Sequence, residues 1–270
     1  MKKILLTITA CSLLLLAACG MTNQNEDTLK IGVNFYPMPE IVTLITDDLK
    51  EAGIKVEQVQ MDYNILNTPL ANKEIDGNMI QHQYFMEFFN TANNAQLVIA
   101  QPIYHSKFAL YSGIYDSIDD IPNGTTIYVP EDVVNLPRAL ILLDALGLIT
   151  LKEGITVTAT LDDIASNPKN LVFEPKSLGT TSQAYHSDGS KLAVMYPTYA
   201  RDTNNELMDA SQVLAYEELN DLTKTYAISF VTRKDNLNDP KIQTFIEYLT
   251  SNKVRNWLVK NYGWAAEPAF

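Results

Sequence analysis

Residues 29–59 read LKIGVNFYPMPEIVTLITDDLKEAGIKVEQV, and they contain a strand, a helix and a second strand in succession. Apolar residues alternate with others over 29–33 and again over 54–59, as in half-buried strands. Pro39 suits a first helical turn, and Gly53 suits a helix end. Between them, apolar residues recur at helical spacing: Ile41, Leu44, Ile45 and Leu49. Short turns between these elements predict a right-handed crossover unit with a parallel sheet.

The rest of the chain continues to alternate strands with helices, which indicates an α/β protein. An apolar helix over 138–146 follows Pro137, and another helix begins at Pro240. Further strands are predicted at 75–80, 107–112, 126–129, 155–160, 171–174, 192–196 and 226–232. We therefore expect two α/β lobes joined by two crossover strands, the bilobal layout of periplasmic-binding-protein-like folds. Lobe 1 would comprise residues 29–108 plus 229–270, and lobe 2 residues 109–228.

The N-terminal segment is typical of an export signal. Lys2 and Lys3 precede a mostly apolar run over 4–16, and small residues lead directly into Cys19. This end resembles a bacterial lipoprotein signal, in which the cysteine thiol receives a diacylglycerol and the peptide is cut just before it. The alternative is an uncleaved membrane anchor, but the run is short for ~30 Å of hydrocarbon. We expect residues 1–18 to be a signal peptide and 19–28 a flexible tether, with the protein lipid-anchored on the extracytoplasmic face of the cell membrane.

Composition excludes several kinds of function. The formal net charge of −12 argues against nucleic-acid binding. An acidic surface also repels anionic lipid headgroups, so membrane attachment should run through the acyl chains. Of the 2 cysteines, Cys11 leaves with the signal and Cys19 is the lipid site. The 3 histidines, His82, His105 and His186, form no metal-ligand pair at helical spacing, so we expect no metal and no cofactor. A hydrolase is the enzymatic alternative, but no GxSxG, HExxH or phosphate-loop motif occurs, and we expect a monomer without catalytic activity.

Several ordered segments carry a family resemblance. They are the stretches IDGN (75–78), QHQ (81–83), ALYS (109–112), SIDDIPNG (117–124), VPED (129–132), DIASNPKNL (163–171) and EPAF (267–270), together with Asn135 and Arg138. From about residue 29 to 270 the chain resembles the NlpA family of methionine-binding lipoproteins of ABC importers. The resemblance implies a substrate-binding protein that holds an amino acid between its lobes and delivers it to an ABC permease and ATPase complex.

The resemblance also implies which residues contact the ligand. Tyr63, His82 and Phe85 correspond to pocket positions, and Asn135 and Arg138 correspond to polar groups that hold the ligand's backbone end. Independently, Arg138 lies in a first helical turn, where the helix dipole disfavours a cation. A bound carboxylate would offset that cost. A solvated arginine, a core histidine and core aromatics are the plainer alternatives for these residues.

The chain departs from the family at the polar lining of the pocket. Asparagines that the family commonly has are replaced by Tyr196, Thr198 and Ile228, and a pocket phenylalanine is replaced by Ile80. Losing a buried hydrogen-bond partner changes ligand choice more than losing a methylene. We therefore expect methionine to bind weakly, and another amino acid or a short peptide to bind better. The alternative function is a surface adhesin or scaffold that kept the fold with an altered or lost ligand site.

Overall fold

The computed structural model describes residues 27–187 and 192–270, so the predicted signal peptide, Cys19 and most of the tether lie outside the described residues. The first half contains β1 (Asp27–Val33), α1 (Met38–Glu51), β2 (Ile54–Gln60), α2 (Asn67–Ala71), β3 (Gly77–Gln81), α3 (Gln83–Asn93), β4 (Leu97–His105), β5 (Ala109–Ser112), β6 (Thr126–Pro130) and α4 (Asn135–Ala145). The second half contains β7 (Thr150–Leu151), β8 (Ile164–Ser166), β9 (Val172–Lys176), α5 (Leu178–Ser187), β10 (Leu192–Met195), β11 (Val213–Tyr216), β12 (Ile228–Arg233), α6 (Pro240–Leu249), α7 (Asn252–Tyr262) and β13 (Glu267–Pro268).

The first lobe is built on a six-stranded sheet in the order β13-β4-β12-β3-β1-β2. The pairs β1–β2 and β1–β3 are parallel, as the opening sequence predicts, and β12 pairs antiparallel with both β3 and β4. Helix α1 packs Ile41, Val42, Ile45 and Leu49 into the core, and each is fully buried. Burying such a side chain contributes about 1.5–3 kcal/mol, so this one helix face anchors the lobe.

The second lobe is built on a five-stranded sheet in the order β11-β5-β10-β6-β9. Its centre is parallel, since β6 pairs in parallel with β9 and β10, while β5 runs antiparallel to β10 and β11. Helix α4 covers this sheet with Ala139, Leu140 and Leu143, all fully buried. The protein is thus a bilobal α/β molecule.

Two expectations about local structure were wrong. Residues 155–160 form turns, with Ala159 N–H donating to Thr156 O, and they pair with no strand. Their burial does alternate, because one face packs on the lobe while the other faces solvent, and alternation alone cannot show that a strand has a partner. In addition, β1 begins at Asp27, so the last two residues of the predicted tether belong to the sheet.

The chain passes between the lobes twice. Residues 106–108 link β4 of the first sheet to β5 of the second, and residues 217–227 link β11 back to β12. In each lobe a parallel strand then ends at the face that meets the other lobe: β3 ends at Gln81, and β10 ends at Met195. Ligands of open α/β sheets bind beyond such carboxyl ends, so the topology places the candidate site between the lobes.

Candidate ligand site between the lobes

A small cavity of about 20 Å³ lies between the lobes. The first lobe and its neighbouring link contribute the lining residues Met38, Tyr63, Ile80, Gln81, His82, Phe85, Tyr104, Ser106 and Ile228. The second lobe contributes Asn135, Leu178, Tyr196, Thr198 and Tyr199. The lining is mostly apolar with a few polar groups, the usual character of a small-molecule site. The volume that remains accommodates little more than a water molecule, so the lobes are closed on each other.

Strand ends and helix starts position the polar side chains of the cavity. His82 directly follows β3 and is the N-cap residue of α3. Asn135 is the first residue of α4, where Asp132 accepts hydrogen bonds from the Asn135 backbone and from its side-chain amide. Tyr196 directly follows β10. Each of these residues lies where a helix begins or a strand ends. Packing of that helix or strand against its lobe therefore fixes where the side chain is placed.

Arg138 forms an ion pair with Glu217 in the protein interior. Their side chains are only 2% and 6% exposed, and two guanidinium nitrogens, Nε and Nη2, donate to the two carboxylate oxygens. The Nε–Oε2 distance is 2.9 Å, and the Phe108 backbone N–H donates to the same carboxylate over 3.0 Å. Burial opposes the charge of Arg138, but its polar partners outweigh burial and raise the pKa of the guanidinium. Glu217 thus supplies the negative charge that the sequence argument assigned to a ligand.

Aromatic rings enclose the same guanidinium. Its central carbon lies 4.3 Å from the ring centre of Tyr226, 4.6 Å from that of Phe108 and 5.0 Å from that of Tyr196. A desolvated cation over such ring faces gains on the order of 2 kcal/mol. The ion pair and the rings together fix Arg138 in one place.

A hydrogen-bonded chain connects Arg138 to the cavity wall. Arg138 Nη1 donates to Tyr196 Oη over 2.9 Å, and Tyr196 Oη donates to Asn135 Oδ1 over 2.8 Å. His82 Nε2 lies 3.4 Å from the same Asn135 oxygen. Burial and the nearby Arg138 charge lower the pKa of His82 to about 3, so the imidazole is neutral at physiological pH.

Two buried polar atoms at the cavity have no hydrogen-bond partner among the described residues. They are Tyr104 Oη and His82 Nδ1. Burial raises the pKa of Tyr104 well above its ordinary value, so its hydroxyl keeps its proton and offers a neutral donor. Since an unmade buried hydrogen bond costs about 1–3 kcal/mol, a solute that pairs with these atoms would recover that energy.

A stacked pair of aromatic rings joins the two lobes next to the cavity. The rings of Phe35 and Tyr199, from opposite lobes, stack with centres 4.3 Å apart and planes within 13° of parallel. Tyr199 Oη also donates to Asn34 Oδ1 over 3.3 Å. These contacts exist only while the lobes are together, so they stabilise the closed arrangement.

The predicted ligand residues are gathered at one place. All except Arg138 line the cavity: Tyr63, Ile80, His82, Phe85, Asn135, Tyr196 and Thr198. Arg138 lies behind Tyr196, and the contact of all these residues with a ligand stays a prediction. Sequence reasoning missed Glu217 and Tyr104. Glu217 is 79 positions from Arg138, and no local pattern could have paired them.

No group of three or more potential metal-ligating side chains occurs within the described parts of the chain. None of their helices combines the length and apolar character that a membrane span requires.

The bilobal fold with a closed interlobe cavity is that of solute-binding lipoproteins. The family model for NlpA lipoproteins matches residues 29–270, and the chain belongs to this family. The methionine-binding lipoprotein MetQ of Bacillus subtilis (strain 168) is 33% identical over 259 residues, which cover 94% of this chain and 93% of that protein. The D-methionine-binding lipoprotein MetQ of Escherichia coli (strain K12) is 29% identical and covers 89% of this chain and 88% of its own length.

Solved structures agree with the fold. The lipoprotein Tp32 from Treponema pallidum is similar at a TM-score of 0.83 with 28% identity, covering 90% of this chain and 100% of that chain. A nutrient binding protein from Burkholderia cenocepacia bound to methionine is similar at a TM-score of 0.82 with 27% identity, over 90% of this chain and 100% of that chain. By name, the relatives from Bacillus subtilis, Escherichia coli and Burkholderia cenocepacia are binding proteins.

Proposed function

We propose that this protein is the lipid-anchored, extracytoplasmic receptor of an ABC importer. It captures an amino acid or a short peptide between its lobes and delivers it to a permease and ATPase complex. The observation that carries the proposal is the interlobe cavity, because both lobes line it and its walls combine apolar side chains with a few polar groups. Membership of the NlpA family and the names of the methionine-binding relatives support the same function.

The lobes, residues 29–108 plus 229–270 and residues 109–228, would move apart to admit the solute. The closed cavity holds about 20 Å³, so no amino acid could enter without such opening. Residues 106–108 and 217–227 are the connections about which the lobes would rotate. Hinge closure around a ligand is the usual motion of bilobal binding proteins.

The test is thermal unfolding of the lipid-free protein, stripped of bound solute, with each amino acid and a dipeptide set. A ligand that binds only the folded state raises apparent stability by about 2.7 kcal/mol at 100 times its dissociation constant, which a thermal shift detects. Mass spectrometry of solute that co-purifies with the unstripped protein identifies the natural ligand. If no solute co-purifies and no compound stabilises the protein, the receptor function is wrong and the scaffold alternative stands.

Helix α3 provides matched control variants. Phe85 lines the cavity, whereas Phe88, on the same helix, is 54% exposed and lies outside the cavity lining. Phe85→Ala should remove ligand-dependent stabilisation, and Phe88→Ala should retain it. Equal loss in both variants would place the solute elsewhere.

A further inference from the structure

Tyr196 stands between the buried cation and the cavity. Its side chain lines the cavity, while Arg138 lies behind it and outside the lining. The Tyr196 hydroxyl accepts from Arg138 Nη1 and donates to Asn135 Oδ1, over 2.9 Å and 2.8 Å. A carboxylate oxygen that approached Arg138 from the cavity would therefore meet the ring or the hydroxyl of Tyr196 first.

Most of the polar groups behind Tyr196 are already hydrogen-bonded. A guanidinium has five N–H donors. Four of the five in Arg138 reach both oxygens of Glu217, the Tyr196 hydroxyl and the Ser106 carbonyl, which leaves one N–H on Nη1. The Asn135 amide group donates to the two carboxylate oxygens of Asp132. Glu217 compensates the charge of Arg138, and the one remaining N–H belongs to Nη1, the nitrogen that donates to Tyr196.

The surface that remains for a solute is neutral. Ile80, Leu178 and Ile228 contribute apolar side chains, and Tyr104 Oη is a buried hydroxyl with no partner among the described residues. A free carboxylate placed there would lose its water without gaining a countercharge, which is costly. An amide or another uncharged polar group would pay much less and could hydrogen-bond with Tyr104.

We infer that Tyr196 is a specificity-determining residue: it blocks the approach of an anionic ligand group to Arg138, so the cavity selects small solutes whose polar end is a neutral amide. The inference rests on the proposed function and narrows its ligand class to amino-acid amides and to residues whose carboxyl carbon lies in a peptide bond. Arg138 then serves as the internal partner that holds Tyr196 in place.

The first test compares two ligands on the wild-type protein and needs no variant. Calorimetry is performed with L-methionine and with L-methioninamide, which differ only in the carboxyl group. We expect the amide to bind at least tenfold more tightly. Tighter binding of methionine would overturn the inference, while the receptor function would stand. No binding of methionine, its amide or any dipeptide would overturn both.

The second test restores access to Arg138. Tyr196→Asn removes the ring and should increase methionine affinity at least tenfold, whereas Tyr196→Phe keeps the ring in place and should give no gain. The double variant Tyr196→Asn with Arg138→Met should lose the gain, because the guanidinium is its source. A folded Tyr196→Asn protein without the gain, or an equal gain in Tyr196→Phe, would overturn the inference. If Tyr196→Asn does not fold, the ligand comparison on the wild-type protein decides.

Discussion

Breaking the buried ion pair of Arg138 and Glu217 should strongly reduce the free energy of unfolding of the protein. Arg138→Met removes two charge-assisted hydrogen bonds from Glu217 and leaves it with the backbone N–H of Phe108. At about 1.5–3 kcal/mol per hydrogen bond to a charged group, the loss is about 3–6 kcal/mol. This agrees with the about 3–5 kcal/mol expected when one partner of a buried pair is removed. Glu217→Gln should cost a similar amount, because it strands the guanidinium.

The double variant distinguishes a stranded charge from lost packing. Arg138→Met with Glu217→Gln leaves no buried charge at this pair, so its free energy of unfolding should lie well above the value that summing the two single losses predicts. We expect a coupling energy of at least about 2 kcal/mol, measured by urea unfolding of the four proteins. Additive losses within about 0.5 kcal/mol would refute the reasoning, since independent sites add to that accuracy.

An exposed ion pair of the same chain is the control. Lys73 Nζ lies 2.6 Å from Asp235 Oδ2, but the two side chains are 66% and 50% exposed. Water screens such a pair, so the cycle Lys73→Met with Asp235→Asn should give a coupling of only about 0–1 kcal/mol. The contrast between the two cycles isolates the effect of burial.

Four further outcomes are expected. The pKa of His82 is about 3 in the folded protein against an ordinary 6.5. Between pH 6.5 and pH 3, His82 is therefore protonated in the unfolded chain and neutral in the folded protein. Stability should therefore fall by about 1.4 kcal/mol per unit as pH drops below 6.5, and His82→Gln should reduce that slope in urea unfolding. Asp239→Ala removes the N-cap of α6 and should cost about 1 kcal/mol in the same assay, unlike Asp239→Ser. Phe35→Ala deletes the stack with Tyr199 and should increase the radius of gyration of the ligand-free protein in X-ray scattering; an unchanged profile would show that the stack does not hold the lobes together. Cys19→Ser should block lipidation and release the protein from membranes, and normal membrane fractionation would contradict the anchor.

One side chain separates the buried cation from the polar residues that line the cavity. The helix starts and strand ends that position Asn135 and His82 are set by packing in each lobe. The side chain of Tyr196, at the end of β10, lies between these two residues and Arg138. A change at this position would alter the cavity wall and the hydrogen bonds to Arg138 and Asn135.

Sequence by itself determined the elements whose signals are local. The alternation at 29–33, the helical spacing of Ile41, Ile45 and Leu49, and the strand signals at 192–196 each report a core face within a few residues, and the structure has these elements. The alternation at 155–160 was misleading, because a period of two reports one-sided burial and says nothing about a partner strand.

Only the tertiary structure decided what the polar residues do. The pairing of Arg138 with Glu217, and the placement of Tyr196 Oη between Arg138 and Asn135, join residues that are 79, 58 and 61 positions apart. Such contacts depend on how two sheets meet across the cleft, and no spacing along the chain encodes that geometry. The sequence could therefore place the candidate site near residues 80–85, 135–138 and 196–198, but not show that the cation there is already neutralised.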